Sequence, residues 1–166
     1  SNNLQTELIY QVWNTTSNAW RNSGRIINTY SGGLKTKLET FNWDGTSWQP
    51  ITRQTLAYNA SNDLTTHEFY NYSAGVFDKV ERRQYLYAFG LVSSDIRSGA
   101  DTSGNYWELR TRKINLINGS ATPPRISSSS TQSRDLNNSL WIDSLKTSYT
   151  YTNNLLSMVQ SELYNT

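Results

Sequence analysis

Cysteine is absent from the 166 residues, which excludes a disulfide scaffold, a thiolate metal site and a cysteine nucleophile together. Histidine occurs once, so most histidine-based metal sites are excluded too. No apolar run approaches the roughly 18 residues that would span a bilayer, and membrane insertion is not expected. No signal-like segment opens the sequence, which fits either a processed chain or an excised one. The nine glycines are scattered rather than clustered, so no phosphate loop or dinucleotide fingerprint exists. Neither sign of charge dominates: 15 Lys and Arg against 13 Asp and Glu leave a net charge of +2, and no nucleic-acid partner is implied.

What is present is aromatic. Only 36% of residues are hydrophobic, yet 13% are Phe, Trp or Tyr, including six Trp and eleven Tyr. Much of the remainder is Asn, Ser and Thr, a texture common in secreted bacterial surface proteins. The length suits one domain, read here as residues 1–166. Packed as a compact globule it would expose roughly 8,000 Å², but the apolar content is carried by rings rather than by aliphatic side chains.

The chain matches itself at an interval of about 30 residues. Leu4, Leu34 and Leu64 each follow a polar, turn-like stretch (Asn2-Asn3, Gly32-Gly33, Asn62-Asp63) and precede Thr6, Thr36 and Thr66 by two places. Leu155 after Asn153-Asn154 repeats the signal. A second register starts at Trp20, Trp48, Phe77, Trp107 and Trp141, with a cation five places on (Arg25, Arg53, Arg82, Arg112, Lys146) and Tyr30, Tyr58, Tyr87, Ile117 or Tyr151 ten places on. These coincidences predict about five tandem hairpins of about 30 residues. The expected fold is all-β, an antiparallel meander forming an extended or curled sheet.

The second unit shows the logic best. Leu34 to Trp43 alternates polar and apolar residues, Asp44-Gly45 signals a tight turn, and Trp48 opens a second run reaching Tyr58. Rings that bracket the turn gain from cross-strand pairing. The repeats read as regular over 1–91 and degenerate over 92–166, where Pro123-Pro124 and Ser127 to Ser130 suggest a long surface loop over 118–134, or a linker. Leu4 to Trp13 reads as the first strand, and Met158 to Tyr164 as a strand opening or capping a further unit.

On an unbroken strand, offsets of zero and ten share a face and an offset of five lies opposite. The Trp/Tyr and Arg ladders should therefore point opposite ways unless a bulge intervenes. Neither face reads as a dry core, and the exposed edge strands leave self-association open.

The segment Trp43-Asp44-Gly45-Thr46-Ser47-Trp48, then Arg53, then Tyr58-Asn59-Ala60-Ser61-Asn62-Asp63-Leu64 resembles the repeated W-D-G-x-x-W … R … Y-D-x-x-G-x-L hairpins of large secreted or cell-surface Bacteroidetes proteins exported by type IX secretion. Those hairpins are themselves similar to YD/RHS repeats. Asn59 stands where the pattern has Asp, and the sequence includes no sorting domain. The resemblance implies an extracellular or cell-surface repeat segment with no assigned chemistry.

Candidate chemistry is sparse. A nucleophile triad would need His67 as its base, but it sits in the alternating stretch Thr65-Thr66-His67-Glu68, which reads as a solvent-facing strand. Glu39, Asp44, Glu68 and Asp78 recur without singling out a catalytic pair. Asp95 to Asn105 only loosely approximates a calcium loop. The expectation is therefore no catalysis, no metal and no cofactor, and an extracellular structural or adhesive module whose partners are other surface or matrix proteins, or glycans. The alternative is a carbohydrate-binding module using ring platforms. Candidate ligand-binding residues are Trp13, Trp20, Trp43, Trp48, Arg25 and Arg53.

Overall fold

The structure, a computed structural model, describes residues 4–135 and 139–164; among them every regular element is a β-strand. In chain order these are β1 (Glu7–Asn14), β2 (Ala19–Ser31), β3 (Leu34–Trp43), β4 (Trp48–Tyr58), β5 (Leu64–Ser73), β6 (Val76–Ala88), β7 (Leu91–Ala100), β8 (Trp107–Asn118), β9 (Arg125–Asp135), β10 (Leu140–Thr152) and β11 (Leu155–Leu163). Their order in the sheet is their order in the sequence, which makes an antiparallel meander as expected. Asn2-Asn3, the first of the turn-like stretches, lies outside the described residues.

The chain divides into two compact units, Ser1–Glu81 with Thr102–Asn105, and Arg82–Asp101 with Tyr106–Thr166. The first contains β1 to β5 and the start of β6; the second contains the end of β6 and β7 to β11.

One expectation is corrected. The loop foreseen over 118–134 is confined to the few residues around Pro123-Pro124, because Arg125–Asp135 forms β9. Serine-rich composition suits a loop, yet in the sheet two of these serines, Ser127 and Ser130, bond their hydroxyls to neighbouring strands. Ser127 Oγ donates to the Leu116 carbonyl at 3.0 Å and Ser130 Oγ to Asp143 Oδ1 at 2.8 Å. A hydroxyl bonded in this way is compatible with a strand interior.

No hydrophobic side chain among the described residues is buried; the buried ones are Asn28, Ser98, Ser129 and Thr147. Side chains of adjacent hairpins cover one another laterally, as Arg53 covers Phe77. Polar pairs fill the positions where a sandwich would place aliphatic residues, such as Thr40 Oγ1 and Thr52 Oγ1 at 2.6 Å.

Bulges set the faces of this sheet. In the first unit, Ser23 is extra in β2 opposite Tyr10/Gln11, and Ile51 is extra in β4 opposite Thr40/Phe41. In the second, Arg110 is extra in β8 and Ser144 in β10. Each follows the opening ring of its strand by three places. A further bulge falls at Thr36 in β3, Thr65 in β5, Ser127 in β9 and Ser157 in β11. Where the extra residue carries a hydroxyl, that hydroxyl donates to a carbonyl of the facing strand: Ser23 to Tyr10, Thr36 to Thr29, Thr65 to Ala57, Ser144 to Thr131 and Ser157 to Thr150.

Each bulge flips the parity of everything beyond it. The cation five places after a ring consequently shares the ring's face, and the tyrosine ten places on lies opposite. The face assignment of the unbroken strand is thereby reversed, through the intervening bulge.

Candidate functional site

Short loops place ring pairs at successive hairpin tips of the first unit. Trp13 and Trp20 face each other across β1 and β2, with ring centres 5.4 Å apart and planes at 73°. Trp43 and Trp48 repeat this across β3 and β4 at 5.0 Å and 64°, and Tyr72 and Phe77 across β5 and β6 at 5.0 Å and 63°. These are edge-to-face geometries, the favoured arrangement for rings of matched quadrupole. The register puts all three pairs on one face.

Asp44 fixes the middle tip. Its Oδ1 accepts the backbone N–H groups of Thr46 and Ser47, both at 2.8 Å, and its Oδ2 accepts Gln49 Nε2 at 2.7 Å. Bonds from those two N–H groups, then from the Thr46 hydroxyl and the Gln49 amide, hold this carboxyl far below the usual carboxylate range.

Below the tips the cations engage the same rings. The Arg25 guanidinium carbon lies 5.9 Å from the centre of Trp48 and 6.0 Å from Phe41; Arg53 lies 3.8 Å from Phe77. In the second unit Arg82 lies 5.3 Å from Trp107, and Arg112 lies 4.4 Å from Trp141. Each arginine therefore meets the ring that opens the second strand of the next hairpin.

Carboxylates complete the arrangement in the first unit. Arg25 Nε donates to Glu7 Oε1 at 2.6 Å, and Arg53 Nε and Nη2 reach Glu39 Oε1 at 2.9 and 2.8 Å. Burial opposes ionisation of Glu39, but hydrogen bonds and attraction from Lys37 and Arg53 outweigh it and lower its pKa. In the second unit the neutral Gln132 accepts from Arg112.

The tyrosines on the opposite face act as pins. Tyr30 Oη donates to the Gln5 carbonyl at 3.1 Å, Tyr58 Oη to Lys35 at 2.9 Å and Tyr151 Oη to Ile126 at 3.0 Å. Ile117 holds the corresponding position without a hydroxyl, and Asn115 Nδ2 instead donates to the Val92 carbonyl at 2.7 Å.

Of the six residues singled out from the sequence, Trp13 and Trp43 line an open cleft of about 420 Å³ with Asn22, Asn42 and Asp44 nearby. Trp20 is 63% exposed and Trp13 47%, so those faces are open to solvent. Trp48 is half-buried beside Arg25. Arg25 and Arg53 are occupied by carboxylates and rings. His67 is half-buried rather than solvent-facing: Nε2 lies 2.8 Å from Gln54 Oε1, and its ring lies 4.0 Å from that of Phe69. Asp95 belongs to β7 and Asp101 to the turn that follows, where Oδ1 accepts the Tyr106 N–H. Among the described residues no group of three His, Cys, Asp or Glu side chains could hold a metal ion, and no helix is long and apolar enough to cross a membrane.

Sequence reasoning missed Asn22 and the bulge residues. The recurrence of a bulge three places after Trp20, Trp48, Trp107 and Trp141 becomes visible only once strand partners are known.

No family model and no curated protein matches the chain. It is similar to a solved protein of unknown function from Bacteroides fragilis, at 12% identity and a TM-score of 0.58, over 75% of this chain and 90% of that one. Two DUF3836 family proteins, from Bacteroides vulgatus and Parabacteroides distasonis, align at 14% identity with TM-scores of 0.44 and 0.37, over 52% and 67% of this chain and 90% of each of theirs. What this chain shares with the Bacteroides fragilis protein is the all-β fold.

Proposed function

We propose that the chain is a non-catalytic, extracellular or cell-surface module of about five tandem hairpins of about 30 residues, serving a structural and adhesive role. The observation that carries this reading is the contact of each arginine with the ring of the next hairpin. It recurs in both units and spends the conspicuous side chains on joining hairpins. The resemblance to secreted Bacteroidetes repeats and the cysteine-free Asn/Ser/Thr texture support the location.

Adhesion follows from the edges. Every residue of β11 is exposed, with Leu155 at 74% and Leu163 at 81%, and β1 exposes Ile9, Tyr10, Val12 and Trp13. Long edges of this kind, each with a single carboxylate, Glu7 in β1 and Glu162 in β11, add strands, from a second copy or from a surface or matrix protein. Sedimentation velocity across a range of concentrations tests this: association abolished by Val159→Lys supports it. A strictly monomeric chain that also captures no immobilised matrix protein rejects the adhesive role.

A second reading, a carbohydrate-binding module, is favoured by the cleft between the exposed Trp13 and the half-buried Trp43, where rings adjoin amide side chains. Saturable quenching of tryptophan fluorescence by soluble oligosaccharides supports it, and its absence opposes it.

A further inference from the structure

We propose that the row of ring pairs on the first unit binds one linear, neutral, β-linked oligosaccharide lying across the strands, with one disaccharide per hairpin. The inference rests on the second reading above and narrows it to a substrate class.

The spacing comes from the backbone. Trp43 is the last residue of β3, and Trp13 and Tyr72 are next to last in β1 and β5; these strands stand two apart in the sheet, so equivalent rings recur about every 10 Å. An extended β-1,4-linked chain turns over at each sugar and presents the same sugar face once per disaccharide, at a closely similar distance. A helical α-linked chain does not hold its sugar faces in one line, and a monosaccharide meets only one ring pair.

Polarity comes from the cleft. Between Trp13 and Trp43, Asn22 Oδ1 accepts Gln11 Nε2 at 3.0 Å, which orients the amide and leaves its N–H groups for a sugar hydroxyl. Asp44 lies in the same lining. Pyranose C–H faces suit the indoles, and hydroxyls suit these amide and carboxylate edges.

Charge complementarity selects a neutral ligand. The cations that share the ring face, Arg25, Lys37 and Arg53, are already paired with Glu7 or Glu39. An acidic sugar would find the cleft's own cation, Arg21, in one lining with the Asp44 carboxylate, and Lys79 donating to the Asn105 carbonyl.

The test is isothermal titration of the full chain with cellobiose, cellohexaose, xylohexaose, chitohexaose, maltohexaose and hexagalacturonate. At least one β-linked hexamer is expected to bind about tenfold more tightly than cellobiose and than maltohexaose, one further stacking contact being about a tenfold gain. Trp13→Ala, at an exposed tip, is expected to weaken that hexamer about tenfold. Asn22→Ala, which leaves every ring in place, is expected to weaken it several-fold. Equal binding of maltohexaose, or preference for hexagalacturonate, with Trp13→Ala still effective, overturns this proposal and leaves the carbohydrate reading standing. No binding of any sugar overturns both, and binding indifferent to both substitutions overturns the assigned site.

Discussion

Arg53 lies with its guanidinium carbon 3.8 Å from the centre of the Phe77 ring while two of its nitrogens hold Glu39 Oε1. One side chain thus joins β3, β4 and β6, and it does so on a sheet without a buried apolar side chain among its described residues. A cation held between a carboxylate and a ring keeps its apolar stem covered and its charge compensated. Stability of this kind is lateral and nearest-neighbour, as in other repeat architectures.

Because the bulge at Ile51 brings Trp48 and Arg53 to one face, deleting that residue is expected to cost far more than truncating it. Removing Ile51 turns either the ring or the arginine to the wrong side and breaks the Arg53–Glu39 pair, a loss of about 2–4 kcal/mol. Ile51→Ala keeps the extra residue and removes only a 42% exposed side chain, at about 1 kcal/mol or less. Urea unfolding of the two variants checks this, and equal midpoints would refute the role of the bulge.

Three carboxyls titrate below their ordinary values: Asp44 through the Ser47 and Thr46 N–H groups, Asp143 through Gln132 and Ser130, and Glu39 through Lys37 and Arg53 despite burial. Folding therefore favours their ionised forms. The stability they confer is fully present above the ordinary carboxyl values, 3.8 for Asp and 4.5 for Glu, and is lost as pH falls through the lowered ones. Unfolding midpoints measured from pH 7 down to pH 2 should decline below about pH 4.5, and Asp44→Asn should decline less. Parallel curves for the two proteins would show that the turn bonds of Asp44 contribute nothing.

Tyr70 behaves in the opposite sense. Burial, then the hydrogen bond from its hydroxyl to Glu68 Oε2 at 2.6 Å, pushes its pKa up to about 12. The fold favours the neutral phenol, and that contribution persists below the ordinary value of 10.0 and disappears as pH rises through the folded one. In a ring-labelled sample the Tyr70 resonance should remain in its neutral position at pH 10.5. Glu68→Gln should move the transition downward; an unchanged transition would remove Glu68 as a cause.

The ring, cation and ring spacing made the hairpins legible because every unit uses the same positions, and Trp43 to Trp48 could be read as a turn from Asp44-Gly45 alone. The faces were not legible. Which side Arg53 occupies depends on whether Ile51 is counted in the ladder, and nothing in an isoleucine announces a bulge. Ser127 to Ser130 misled for a related reason: serine favours loops when its hydroxyl must find a local partner, whereas here the partners lie on β8 and β10, residues distant in sequence. Leu91 was similarly obscured as a strand start, since Phe89 and Gly90 supply the positive φ angles of 52° and 75° that an Asn or Gly-Gly pair supplies elsewhere. In the candidate site Trp13 and Trp43 were legible as candidate rings, although only Trp13 is exposed and Trp43 is half-buried; Asn22 was not legible, because its place between them follows from strand order.

A double-mutant cycle on Arg53 and Phe77, using Arg53→Met, Phe77→Leu and the pair, asks most directly whether ring and cation contacts hold the hairpins together. Equilibrium unfolding in urea should return a coupling of about 1 kcal/mol, with a similar value for Arg112 and Trp141. Additive effects at both pairs, with no coupling beyond error, would mean that the contacts accompany the fold without stabilising it.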